Sequence, residues 1–193
     1  YLNDGRLYGC PDMKDAEGFD KVENGLVGLD LDEWEGFVFA RFTREGPSLR
    51  EHLGDFPERM ASHKLGQMRC TWSMTLDVSC NWKLILENAV ETYHTGIVHR
   101  DTVGAQQSRT PQTRGDWIAI QVISGRSIAT LGSDQPPFPV IDGLDDDAKM
   151  GTYFTVVMPT VQFAVAQDCL WWLNTIPVSE NRTLLEVGGC FPE

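Results

Sequence analysis

The sequence predicts an α+β fold: an all-β N-terminal piece, then a helix, then a run of antiparallel strands. Three observations carry this. Residues 1–42 are punctuated by glycine and hold short strand-like runs. Residues 82–95 place Leu84, Ile85, Ala89 and Val90 at helical intervals with no proline. Beyond His99, β-branched and aromatic runs return at short spacing, and antiparallel strands after a helix suggest an α+β layer.

Taken in order, Gly5 and Gly9 punctuate the start, and residues 26–29 and 37–40 read as strands. Pro47-Ser48-Leu49-Arg50-Glu51 opens a short connecting helix, with Ser48 as its cap and Leu49, Leu53 and Phe56 on one side. Residues 68–80 have the apolar and β-branched content of a strand that leads into the helix at 82–95. A loop rich in Gln, Arg and Thr follows through Arg114. Strands are expected at 117–124, 127–131, 153–158, 162–166, 169–177 and 183–188. The stretch 132–149, with Pro136, Pro137 and Pro139, is too long for a tight turn and reads as an excursion rather than a lid. The domain boundaries expected are 1–45, a connecting helix in 46–65, and 66–193.

The chemistry concentrates in Asn81–His99. Glu87, Glu91 and His94 fall at i, i+4 and i+7, within an arc of about 60° on a helix. His94 and His99 would be roughly 140° apart on an ideal helix, so something must bend between them. Gly96 sits in that gap and leaves helical dihedrals at little cost. Two imidazoles and a carboxylate on one face are a common way to hold a divalent metal while leaving positions open for dioxygen and substrate. The ordinary alternative is one buried, hydrogen-bonded histidine and one on the surface. Tyr93 reads as a packing residue with a satisfied hydroxyl. Trp171, Trp172, Phe154 and Phe163 read as core or as the lining of a pocket.

The run Asn81-Trp82-Lys83, Glu87-Asn88, Glu91-Thr92-Tyr93-His94 and His99 resembles the mononuclear iron segment of Rieske-type non-haem iron oxygenases, the large subunits of aromatic-ring-hydroxylating dioxygenases and their monooxygenase relatives. Asp4-Gly5-Arg6-Leu7 through Glu17-Gly18-Phe19 and Trp34-Glu35-Gly36-Phe37-Val38-Phe39 resemble the end of that family's Rieske domain. Trp171-Trp172-Leu173, Arg182-Thr183 and Cys190-Phe191-Pro192 resemble its catalytic sheet. The resemblance implies the end of an all-β Rieske domain followed by a helix-grip (START-like) catalytic domain, in which a curved antiparallel sheet wraps helices. It implies a mononuclear Fe(II) held by His94 and His99, and Glu91 as the acidic bridge to the [2Fe-2S] cluster of a neighbouring subunit. Asn88, one turn before Glu91, then reads either as a residue facing the metal from behind its ligands or as plain helix packing. It further implies dioxygen and an organic substrate, a reductase or ferredoxin donor fed by NAD(P)H, and a homo-oligomer, a trimer in the family.

Three departures accompany it. The Cys-x-His and Cys-x-x-His cluster loops do not occur in this chain and are expected before Tyr1. The third iron ligand, an Asp, is expected beyond Glu193. The chain is thus expected to be an internal stretch of a longer protein. The bridging position is Glu91 where ring-hydroxylating members most often carry Asp, a change found in relatives that attack quaternary amines such as carnitine. Two other readings stay open: a metal-free helix-grip ligand-binding module, and a zinc hydrolase with Glu91 as third ligand.

Composition narrows the partners. The 193 residues carry a net charge of -12 with no basic stripe, which argues against a nucleic-acid partner. No apolar run approaches the roughly 18 residues of a membrane span, and a cytoplasmic location is the expectation. The five cysteines are scattered and read as reduced thiols. Asp145-Asp146-Asp147 and the acidic 30–35 stretch read as solvated loops rather than calcium sites.

Overall fold

The computed structural model describes residues 1–13, 15–43, 45–129 and 138–193. They form two units, Tyr1–Pro47 and Ser48–Glu193.

The first unit contains one hairpin, β1 (Asp30–Trp34) with β2 (Phe37–Arg41). Its two-residue turn is Glu35-Gly36, both at positive φ, and this mirror-image turn matches the right-handed twist of the flanking strands. Arg41 closes the open end onto Asp30, 2.7 Å away. The expected strand at 37–40 is present, whereas 26–29 is not a strand. A two-residue turn makes the segment immediately before it the partner, so the acidic Asp30–Trp34 pairs instead, and Leu26 bonds to the Gly5 carbonyl.

In the second unit Ser48 caps α1 (Leu49–Leu53) with a complete capping box to Glu51. The single expected connecting helix is broken. Gly54, at φ +57, turns the chain into α2 (Phe56–Met60), and two 3-10 turns follow, Ala61–His63 and Leu65–Gln67.

Among the described residues the sheet has seven antiparallel strands: β3 (Met68–Val78), β4 (Ser108–Arg109), β5 (Trp117–Ile123), β6 (Gly151–Val157), β7 (Val161–Val165), β8 (Leu170–Ser179) and β9 (Arg182–Pro192). Their order is β3-β9-β8-β7-β6-β5-β4, so β3 and β4 are its edges. Directly opposed residues share a face, which groups Trp117, Ala119, Thr155, Val157 and Phe163. Phe56 of α2 packs on this face, its ring 4.9 Å from Trp117 and 5.8 Å from Phe163. Two glycines make room for tryptophans at the β3 end. A Cβ on Gly188 would lie 2.5 Å from the Trp172 ring, and one on Gly189 would lie 2.4 Å from the Trp72 indole nitrogen.

Three expectations change beyond His99. The loop through Arg114 contains β4, paired with β5. No strand occupies 127–129, and the rest of the strand expected at 127–131 lies outside the described residues, as do residues 132–137 of the expected excursion. Residues 138–149 pack back on the sheet: Leu144 and Ala148 are buried, and Asp147 is tied to Tyr153, Arg109 and Arg59. Asp147 is therefore not part of a solvated acidic loop. Burial raises its pKa, but the Tyr153 hydroxyl and the guanidinium groups outweigh this and hold it below the usual carboxylate range.

Candidate functional site

The site begins where α3 (Trp82–Ala89) is anchored. The Asn81 side chain caps the helix by accepting from the Lys83 amide at 3.1 Å. Its amide nitrogen donates to the Glu180 carbonyl at 2.8 Å, fastening the helix start to the β8–β9 turn. Leu86 is the buried residue of α3, which packs toward β6 and β8.

The helix ends sooner than its periodicity predicts. Val90 leaves helical dihedrals at φ -113, ψ 25, and a second short helix, α4 (Thr95–Val98), begins after His94. The break therefore precedes His94 and is not at Gly96, which lies within α4, where an added Cβ would meet Ala105 Cβ at 3.4 Å. Glu91 explains the position of the break. One of its carboxylate oxygens accepts from the backbone amides of Tyr93 and His94, satisfying donors at the start of α4 that a continuous helix would have used internally. Thr92 and Thr95 hold the intervening turn, Thr92 through Ser108 of β4 at 3.1 Å and Thr95 through the Thr92 carbonyl at 2.8 Å.

This re-entry brings the two imidazoles together. Their ring centroids are 5.3 Å apart, edge to face at 73°. The other carboxylate oxygen of Glu91 meets Nδ1 of His94. Asn88 places its amide nitrogen 3.1 Å from the same Nδ1 and 3.4 Å from Glu91 Oε1. One ring nitrogen cannot both donate and accept, so Nδ1–H donates to the charged carboxylate and the Asn88 amide donates to Glu91. Nε2 of His94 then keeps its lone pair, the form a metal requires. The His94 imidazole holds the Glu91 carboxyl below its usual pKa, with burial opposing and the two amides assisting.

All four site residues named from the sequence, Asn88, Glu91, His94 and His99, thus lie in one local cluster. Tyr93 does not pack: it is 88% exposed, because the turn made by Glu91 points it away from the protein. The other two histidines are structural. His52 is clamped between Asp116, 2.9 Å, and the Met158 carbonyl, 2.8 Å. His63 is 1% exposed. Phe163 is buried core rather than pocket lining. Sequence reasoning missed the buried Gln121, which accepts from Arg109 Nε and donates to the Asp147 carbonyl, both at 2.7 Å. Its place in a β-branched strand gave no signal except one polar residue on an apolar run.

The matching family model, described as ring hydroxylating alpha subunit (catalytic domain), covers residues 65–193. The chain belongs to this family. The carnitine monooxygenase oxygenase subunit of Acinetobacter pittii (strain PHEA-2) is 30% identical over 98 residues, 50% of this chain and 26% of that protein. The anthranilate 1,2-dioxygenase large subunit of Burkholderia cepacia is 30% identical over 108 residues, 50% of this chain and 25% of that one. The fold is shared with a solved quaternary ammonium Rieske monooxygenase studied for carnitine oxidation and inter-subunit electron transfer. There the TM-score is 0.75 at 20% identity, covering 99% of this chain and 50% of that one. The match thus spans about a quarter of these curated relatives and half of the solved chain.

Proposed function

We propose that this chain is the catalytic part of an oxygenase large subunit, in which His94 and His99 hold a mononuclear ferrous ion. The observation that carries the reading is the convergence of the two imidazoles at 5.3 Å with Glu91 on Nδ1 of one of them. Imidazole donors with a hydrogen-bonded far nitrogen suit ferrous iron, so the donor chemistry fits. Among the described residues no third His, Cys, Asp or Glu joins them in a metal-binding group, so this reading gives the ion two protein ligands here. A ferrous ion bound there supplies dioxygen activation for hydroxylation of an organic substrate. The rest of the work belongs to side chains. Glu91 keeps His94 in the Nδ1-protonated tautomer and holds its ring in place, and Asn88 holds Glu91.

The zinc-hydrolase reading loses support at Glu91. Both of its oxygens are committed, one to His94 Nδ1 and the other to two backbone amides, so it orients a ligand rather than being one. The Glu91 carboxylate is half-buried and reachable from outside, as a bridge to a cluster in a neighbouring subunit requires. Tyr93, Ile97 and Val98, all largely exposed, give an apolar surface beside it and support a copy of the chain seated there. The remaining parts of the proposal are a [2Fe-2S] cluster fed by a reductase or ferredoxin, and a unit 1 that closes the cluster-binding domain. A cytoplasmic location is consistent with five free thiols. Between an aromatic ring and a quaternary amine as substrate, Glu91 and the likeness to carnitine monooxygenase favour the amine.

Anaerobic ferrous titration of the 193-residue chain tests the metal assignment. Weak one-to-one binding that disappears in both His94→Ala and His99→Ala is the expected result, with Glu91→Gln weakening it by about tenfold. Unchanged binding in either alanine variant would remove that histidine from the proposal.

A further inference from the structure

Cys70 and Cys190 are partners across β3 and β9, directly opposite one another and immediately before the point at which the register of this pair shifts. Directly opposed residues on antiparallel strands hold their Cα atoms about 4.5–5.5 Å apart. A disulfide needs about 4.4–6.8 Å, so the pairing itself supplies the required separation. Directly opposed side chains also project from the same face of the sheet, and Cys70 Sγ reaches the Trp72 carbonyl at 3.4 Å.

Their access to solvent is unequal. Cys70 is exposed on the edge strand, whereas Cys190 is buried, and burial together with the neighbouring Cys70 pushes the Cys190 thiol up to about 12. An oxidant therefore meets Cys70 first, with Cys190 held as a protonated resolving thiol directly across the strand pair. None of the other cysteines has such a partner: Cys10, Cys80 and Cys169 all lie outside the strands.

We propose that Cys70 and Cys190 are a redox site, a dithiol that hydrogen peroxide converts to a cross-strand disulfide. The Cys70 sulfur attacks one peroxide oxygen. The O–O bond breaks, the other oxygen leaves as water with the thiol's proton, and Cys70 becomes a sulfenic acid. The Cys190 sulfur then attacks the Cys70 sulfur. The S–S bond forms, the S–O bond breaks, and the hydroxyl leaves as water with the Cys190 proton. Two thiols and one peroxide give one disulfide and two waters. The bond pins the edge strand to β9 beside a cleft of ≈ 1020 Å³ that Cys70 lines with His63, Arg69 and Pro192. Oxidation thereby fixes one wall of that cleft.

The test is to treat the reduced, metal-free chain with one equivalent of hydrogen peroxide, then titrate thiols and map peptides without reduction. Free thiols should fall by two per chain and the mass by about 2 Da, with one linked peptide pair joining Cys70 to Cys190 that dithiothreitol releases. In Cys190→Ser, oxidation should stop at a sulfenic acid on Cys70 that dimedone traps. The wild-type link does not depend on any variant folding. A link between other cysteines, a link between two chains, or wild-type oxidation that stops at Cys70 would overturn the proposal.

Discussion

At the scale of single residues, His63 and His94 show how burial and partners divide one side-chain type into different tasks. His94 has a carboxylate on Nδ1 and a ring that is only partly exposed. His63 is sealed in, and burial pushes its pKa down to about 4 against the weaker pull of Asp145 and the Met60 backbone. Its folded pKa lies below the unfolded value of 6.5, so the folded state resists the proton. Above about pH 6.5 both states are neutral and nothing is lost. As pH falls from about 6.5 to about 4 the unfolded chain takes up a proton that the folded chain does not, costing on the order of 3 kcal/mol. His63→Leu should remove that part of the acid sensitivity, read as urea midpoints at pH 7 and 4.5 that draw together. At pH 7, where the ring is neutral in both states, the variant should lose only the ring's local contacts, such as its edge-on packing against Tyr153. Identical pH dependence in the variant would contradict the assignment. In the sequence, Glu91, His94 and His99 were legible through their order and their family resemblance. His63 was not, because a histidine between Ser62 and Lys64 carries no mark of being buried.

Elements were legible wherever one local rule decides them. Ser48 after Pro47 marks a helix start, and it caps α1 as expected, with Glu51 completing a capping box not expected from the sequence. Ser48→Ala should cost about 1 kcal/mol in thermal unfolding. The apolar period at 82–95 overran its helix because the decision to stop lies in a side chain: the Glu91 carboxylate captures two amides and starts α4 one turn early. Gly96 was read as the break, but it has helical neighbours and only Ala105 nearby, so Gly96→Ala should change stability by less than about 1 kcal/mol and leave ferrous binding intact. Gly54 is the glycine that matters. At φ +57 an added Cβ would stand 1.8 Å from the Arg114 carbonyl oxygen, so Gly54→Ala should destabilise on the order of 3 kcal/mol or more. Nothing in the sequence singles it out, since Arg114 approaches from sixty residues away.

At the scale of the whole molecule, strand runs such as 162–166 and 169–177 predicted the sheet because their β-branched and aromatic residues fit a half-buried pleat. Strand order was not readable from such runs: β3 pairs with β9, which closes the sheet across most of the second unit. That pairing places Cys70 beside Cys190 and, through the β8–β9 turn, anchors the helix before the histidines. No helix among the described residues is long and apolar enough to cross a membrane. In the proposed function, His94 and His99 bind one ferrous ion together. Pulsed electron paramagnetic resonance of the nitric oxide adduct of the iron-loaded chain, read for nitrogen coupling, tests it most directly. The account predicts two imidazole nitrogens on the iron in the wild-type chain and one in either single alanine variant. A wild-type spectrum with no imidazole coupling, or one unaffected by His99→Ala, would contradict it.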